Sequence, residues 1–166
     1  STDFMGVARR WAELGDPRGE LLALLSAAAS RRDSGFKVQD GERAIAIAKR
    51  IADPGLYAFA LAQTGTARIY TGELDRGFEQ VNASLAEMRR IGDTWGEAFL
   101  MIRTGSLLRV LGANERALEL FRRVLPMAKE FAQRPNAEPA RDGVPLRSRL
   151  SSIGGAPAGS GRPDDA

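Results

Sequence analysis

Residues 51–85, "IADPGLYAFALAQTGTARIYTGELDRGFEQVNASL", decide how this chain is read, because residues 91–125, "IGDTWGEAFLMIRTGSLLRVLGANERALELFRRVL", restate them. At an offset of 40, ten of the 35 positions are identical: Ile51/Ile91, Asp53/Asp93, Ala58/Ala98, Phe59/Phe99, Thr64/Thr104, Gly65/Gly105, Gly72/Gly112, Arg76/Arg116, Glu79/Glu119 and Leu85/Leu125. Ordinary composition would supply roughly two or three such matches by chance. Within the first copy, Leu74, Phe78, Val81, Leu85 and Met88 step by alternating fours and threes, the spacing of one apolar stripe on an α-helix. In the second, Trp95, Phe99, Ile102, Gly105, Leu108 and Leu111 form another stripe.

The ends of these stripes carry helix punctuation. Asp93 stands at an N-cap position, and Asp53 is followed by Pro54, whose fixed φ suits the first helical residue. The same start recurs at Asp16-Pro17, where "GDPRGE" echoes "GDTWGE". Gly72 and Gly92 are placed to end helices in the left-handed cap conformation. These signals predict helices over 17–32, 40–52, 54–71, 73–91, 94–111 and 114–132. Pro126 is expected to kink or end the last one, leaving Met127, Ala128 and Phe131 to a looser turn.

Every second helix opens with the Asp-led cap and carries a central glycine, Gly65 or Gly105, where a large side chain would hold a neighbour off. The unit is therefore a helix pair. One pair cannot cover its own stripe, so successive pairs must stack, and that is the physical reason for the repetition. The expected fold class is all-α, with antiparallel helix pairs in a helical repeat domain over 1–132. It comprises a half unit at 4–14, a degenerate pair at 17–52 and repeats at 54–91 and 94–132. The half unit, with Phe4, Val7, Ala8, Trp11 and Leu14 on one face, reads as the second helix of a pair. It is expected either to cap a short protein or to belong to a piece of a longer array. Residues 133–166 hold five of the eight prolines and five glycines without apolar periodicity, and are expected to form a disordered tail. Within that tail Leu146, Leu150 and Ile153 could share one face of a transient docking helix, with a plain tail favoured.

Composition removes several function classes. The 166 residues contain neither cysteine nor histidine, so disulfides, thiolate chemistry, the usual general base and the usual zinc ligand are gone. No phosphate loop or metal-spaced cluster occurs, so neither a cofactor nor a metal is expected. Asp40 and Glu42, or Glu73 and Asp75, could act as acid and base, but acids at helix starts stabilise the dipole, and that reading is preferred. No enzyme is expected. With no apolar run of membrane length, a soluble, cytoplasmic protein without membrane contact is expected. The formal charge is +3. The pairs Arg31-Arg32, Lys49-Arg50, Arg89-Arg90 and Arg122-Arg123 fall near expected helix ends, where cations suit the dipole, so nucleic-acid binding is disfavoured.

The pattern resembles the tetratricopeptide repeat family. Gly105, Gly112, Ala117, Phe121 and Val124 match that family's small, glycine, alanine, aromatic and small positions in order, and Gly65, Gly72, Gly77, Val81 and Ser84 match them more weakly. The family's usual period is 34, against 40 here, and its early tryptophan and closing proline are out of register. A 40-residue version opening with "GDxxGE" is similar to the sensor arms of large bacterial transcriptional regulators and cyclases. The resemblance implies a short right-handed solenoid whose concave face, lined by the first helix of each pair, binds partners. It places Phe59, Ala62, Gln63, Thr66 and Tyr70, then Phe99, Ile102, Arg103, Ser106 and Arg109, on that face. Trp95 and Phe99 are expected to pack in the core and not to cage a ligand. The lysine and asparagine used by carboxylate-gripping members are absent. The implied function is a protein-interaction scaffold or adaptor binding a peptide or partner protein, with a bacterial effector-sensing arm that takes a small molecule as the alternative. Exposed repeat ends leave room for self-association.

Overall fold

A computed structural model describes residues 3–30 and 36–133 of the chain. Seven helices occupy them: α1 (Phe4–Glu13), α2 (Pro17–Ala29), α3 (Val38–Arg50), α4 (Pro54–Tyr70), α5 (Leu74–Arg90), α6 (Thr94–Val110) and α7 (Asn114–Gln133). No strand occurs among the described residues, and the fold is all-α. The expected tail at 133–166, with its candidate docking segment, lies outside the described residues except for Gln133, which ends α7. Arg31 and Arg32 lie outside them too.

The Asp-led starts behave as read. The Asp16 carboxylate accepts from the backbone N–H groups of Arg18 and Gly19, Asp53 accepts from Leu56 and Asp93 from Gly96, at 2.8–3.0 Å. Each bond satisfies an amide that the helix itself cannot. Gly72 and Gly92 turn the chain with φ of 92° and 70°. At the place of Gly92 in the turn between α3 and α4 stands Ala52, a left-handed alanine with φ of 54°.

Each helix packs on the next, and α2 also touches α4, and α4 touches α6. The central glycines explain how close these contacts are. A Cβ at Gly65 would lie 2.6 Å from the backbone oxygen of Gly77, and one at Gly77 would lie 2.7 Å from that of Gly65. The α4 and α5 backbones therefore meet directly. At Gly105 the neighbour is instead the Phe121 ring, 2.6 Å from the added carbon. The glycine of "GDxxGE" has the same purpose: at Gly19 the space is filled by the Trp11 ring, and at Gly96 by the Met88 sulfur. The motif's glutamates, Glu20 and Glu97, are buried and ion-paired to Arg43 and Arg89 respectively.

One apolar core runs from Ala8 to Val124 through Leu21, Leu25, Leu56, Phe59, Met88 and Met101. Trp95 stacks on Phe99 with ring centres 5.2 Å apart, and both rest against this core. A smaller cluster joins Ile69, Val81 and Leu107.

The last helix runs to Gln133, close to the range read for it, so of the two outcomes expected at Pro126 an end to the helix does not occur. Pro126 sits on the exposed side, where water can satisfy the carbonyl that the proline leaves unbonded, while Met127 and Phe131 pack against the core and hold the last turns in place. In consequence Arg122 and Arg123 lie in mid-helix, away from its negative end, whereas Lys49-Arg50 and Arg89-Arg90 do occupy last turns.

Candidate binding groove

Helix α4 supplies one wall because its stripe is double. Ala58, Phe59 and Leu61 face the core, while Gln63, Thr66, Ala67 and Tyr70 follow at helical spacing along a second face. Helix α6 repeats the arrangement with Arg103, Ser106, Leu107, Arg109 and Val110. Between these walls, the end of α2 and the segment from Phe36 to Gln39 lies a groove of about 1040 Å³.

Six of the ten residues expected on the concave face line it: Gln63, Thr66, Tyr70, Arg103, Ser106 and Arg109. Phe59 does not. It is 1% exposed and packs within the core, its ring 6.1 Å from that of Phe99. The register assigned Phe59 to the concave side, but a large apolar ring one turn before Gln63 is better buried than wet. Ala62 is also buried, Phe99 packs on the core, and Ile102 is exposed outside the groove lining.

Polarity at the groove floor is uneven. Gln63 is 3% exposed, and its Oε1 accepts from Nη2 of Arg103 at 3.2 Å. The Arg103 guanidinium stands 5.8 Å from the centre of the Phe99 ring, a cation–π distance that fixes its direction. The Gln63 Nε2 is buried with no hydrogen-bond partner. Exchanging the amide's oxygen and nitrogen would point N–H groups at the guanidinium, so the donor is correctly placed. The hydroxyl of Thr66 is used within its helix, donating to the Ala62 carbonyl at 2.8 Å.

Among the described residues of the lining, Lys37, Arg103 and Arg109 are basic and Glu73 is acidic. Glu73 is itself ion-paired to Arg68, whose Nη1 donates to it at 2.5 Å. Arg68 also binds Glu42 at 2.6 Å and Gln80 at 3.0 Å, so one side chain of α4 ties α3, the α4–α5 turn and α5 together. The two carboxylates, led by the hydrogen bond to Glu42, raise the Arg68 pKa above its ordinary value. Sequence reading missed this tie because the partners lie 26 and 12 residues away, outside any helical period. Three of the four acids weighed as catalytic are engaged structurally. Asp40 accepts from the Lys37 backbone N–H at 2.8 Å, and Glu42 and Glu73 hold Arg68.

Among the described residues no group of acids could hold a metal ion, and no helix is long and apolar enough to cross a membrane. Comparison with protein-family models, with curated proteins and with solved structures gives no match.

Proposed function

We propose that the chain is a tetratricopeptide-like interaction module, a short right-handed solenoid of helix pairs, working as a scaffold or adaptor that takes a peptide segment of a partner protein in the groove. The observation carrying this reading is the convergence of Gln63, Thr66, Tyr70, Arg103, Ser106 and Arg109, chosen by repeat register, on one concavity. The succession of contacts α2 to α4 to α6 supports it, because stacked first helices are what build a continuous concave wall. So does Tyr70, 65% exposed at the rim, an aromatic surface for an apolar side chain. A role in binding and not in catalysis fits the absence of histidine and cysteine and the structural use of Asp40, Glu42 and Glu73. Nucleic acid is a poor fit, because Arg18, Arg43, Arg68, Arg76, Arg89 and Arg90 are ion-paired within the chain. The module is placed in the cytoplasm on this reading.

The test is selection from a displayed random-peptide library on the wild-type chain, followed by measurement of the selected peptides on Arg103→Glu. Charge reversal at the groove should reduce affinity at least tenfold while circular dichroism and melting temperature stay close to wild type. Peptides that bind both proteins equally would remove the groove as the site.

A second reading, a bacterial effector-sensing arm, is favoured by one observation: about 1040 Å³ is also the upper range of small-molecule pockets. A small-molecule library that raises the melting temperature of wild type but not of Arg103→Glu would select this reading over the first.

A further inference from the structure

We infer that the outer face of α7 pairs with the same face of a second copy of the chain, the two helices running antiparallel about a two-fold axis. The repeat marks this face as one built to be covered. In the first copy Val81, Leu85 and Met88 of α5 are buried, and Gly96 of α6 lies against the Met88 sulfur. Their equivalents at the offset of 40 are Phe121, Leu125 and Ala128 of α7, and among the described residues no helix beyond α7 covers them. Leu125 is 58% exposed where Leu85 is 8% exposed. Together with the exposed Leu118 these residues fall at 118, 121, 125 and 128, the alternating spacing of a coiled-coil seam. The apolar surface continues onto α6 at Ile102, exposed where its equivalent Ala62 is buried.

Charge decides the occupant. Along one edge of the seam run Glu115, Arg122 and Lys129, exposed and seven residues apart. Two α7 helices laid antiparallel bring Leu118 opposite Leu125 of the other copy. The same register sets Glu115 opposite Lys129 of the other copy at both ends, with the two Arg122 side chains near the axis. A parallel pair would set each of these charges against its like. The segment carrying Leu146, Leu150 and Ile153 is a worse match, because Arg147 and Arg149 between its leucines add positive charge beside Arg122 and Lys129. No α7 residue lines the groove, so the pairing leaves both grooves open. On the groove reading it makes a two-site scaffold, which holds a partner with repeated binding segments more tightly than one groove does.

The experiment is sedimentation equilibrium of the full chain across the micromolar to millimolar range. Wild type should pass from 17.9 kDa to twice that mass as concentration rises. Leu125→Glu should stay at the lower mass while melting close to the wild-type temperature at high dilution, because the side chain it replaces is exposed in the single copy. Glu115→Lys and Lys129→Glu should each weaken association roughly tenfold or more, since each sets like charges together at two symmetric contacts. Mixed in equal amounts, these two variants should associate about as well as wild type, because every lysine of the mixed pair again meets a glutamate. Arg122→Gln removes the repulsion at the axis and should tighten the pair. A wild-type mass of 17.9 kDa at every concentration overturns the inference. If Leu125→Glu then also lowers the melting temperature, the seam is covered from within the chain by residues 144–153. Association that the two single charge variants leave unchanged, or that their mixture fails to restore, would mean that another face joins the copies and would overturn it equally.

Discussion

Replacing Ala52 by glycine should make the protein more stable. Ala52 and Gly92 occupy the same place in two turns that precede Asp-capped helices, and the backbone bonds around them correspond. The Ala52 N–H donates to the Lys49 carbonyl and that of Asp53 to Ala48. The Gly92 N–H donates to Arg89 and that of Asp93 to Met88, all at 3.0–3.2 Å. The turns differ in that one carries a Cβ at a φ of 54°. A left-handed conformation costs a non-glycine residue roughly 1–2 kcal/mol. Glycine relieves that cost but gives back about 0.4–1 kcal/mol through the freedom it adds to the unfolded chain. The net gain is about 0.5–1 kcal/mol, or some 2–4 °C for a domain of this size.

The reverse change, Gly92→Ala, should lose the same amount. No heavy atom lies within 4 Å of the carbon it would add, so backbone conformation alone is at stake. The two turns lie in separate parts of the chain, and the double variant should return to wild-type stability within about 0.5 kcal/mol. Thermal unfolding followed by circular dichroism, with urea titration as a second probe, measures all three proteins. A melting temperature for Ala52→Gly equal to or below wild type would refute the reasoning, since it would mean that the turn does not hold Ala52 in a strained conformation.

Three other substitutions test the packing and the charges. Gly65→Ala drives a methyl group against the Gly77 backbone and should cost about 2–3 kcal/mol. Gly105→Ala meets a partly exposed Phe121 ring that can turn aside and should cost less, so equal losses in thermal melts would contradict direct contact between the α4 and α5 backbones. The Glu87 carboxylate is held below its ordinary pKa of 4.5, chiefly by the hydrogen bond from Arg90. Its contribution is therefore present above the unfolded-state pKa and fades as the pH falls through the lower folded value. Glu87→Gln should flatten the stability profile below about pH 4.5 by a few tenths of a kcal/mol, as read by urea denaturation across that range, and an unchanged acid limb would argue against the pair.

Much of the all-α architecture was legible because its signals are local. Asp16, Asp53 and Asp93 announce helix starts through bonds that span two or three residues, and the repeat exposes Gly65 and Gly105 as contact points by comparison alone. The groove lining was legible at six positions for the same reason, since register carries over from one copy to the next. What remained hidden depends on three-dimensional balance. Pro126 predicts a broken helix locally, yet burial of Met127 and Phe131 outweighs it. Phe59 and Gln63 are both plausible on a concave face by spacing, and only packing decides that the ring goes inward and the amide to the floor. The reach of Arg68 to Glu42 and Gln80, and of Arg18 to Asp53, obeys no period, so no pattern in the chain marks it.

That arginine has a mechanical consequence. Ion pairs at the amino-terminal helix, Arg9 with Asp3 and Arg10 with Glu13, have both partners at least 65% exposed, whereas the Arg68 side chain is 14% exposed. Dissolved salt weakens the first kind far more than the second. Rising ionic strength therefore slackens the amino-terminal edge of the molecule while the junction of α3, α4 and α5 that Arg68 ties stays riveted in conditions that let that edge fray.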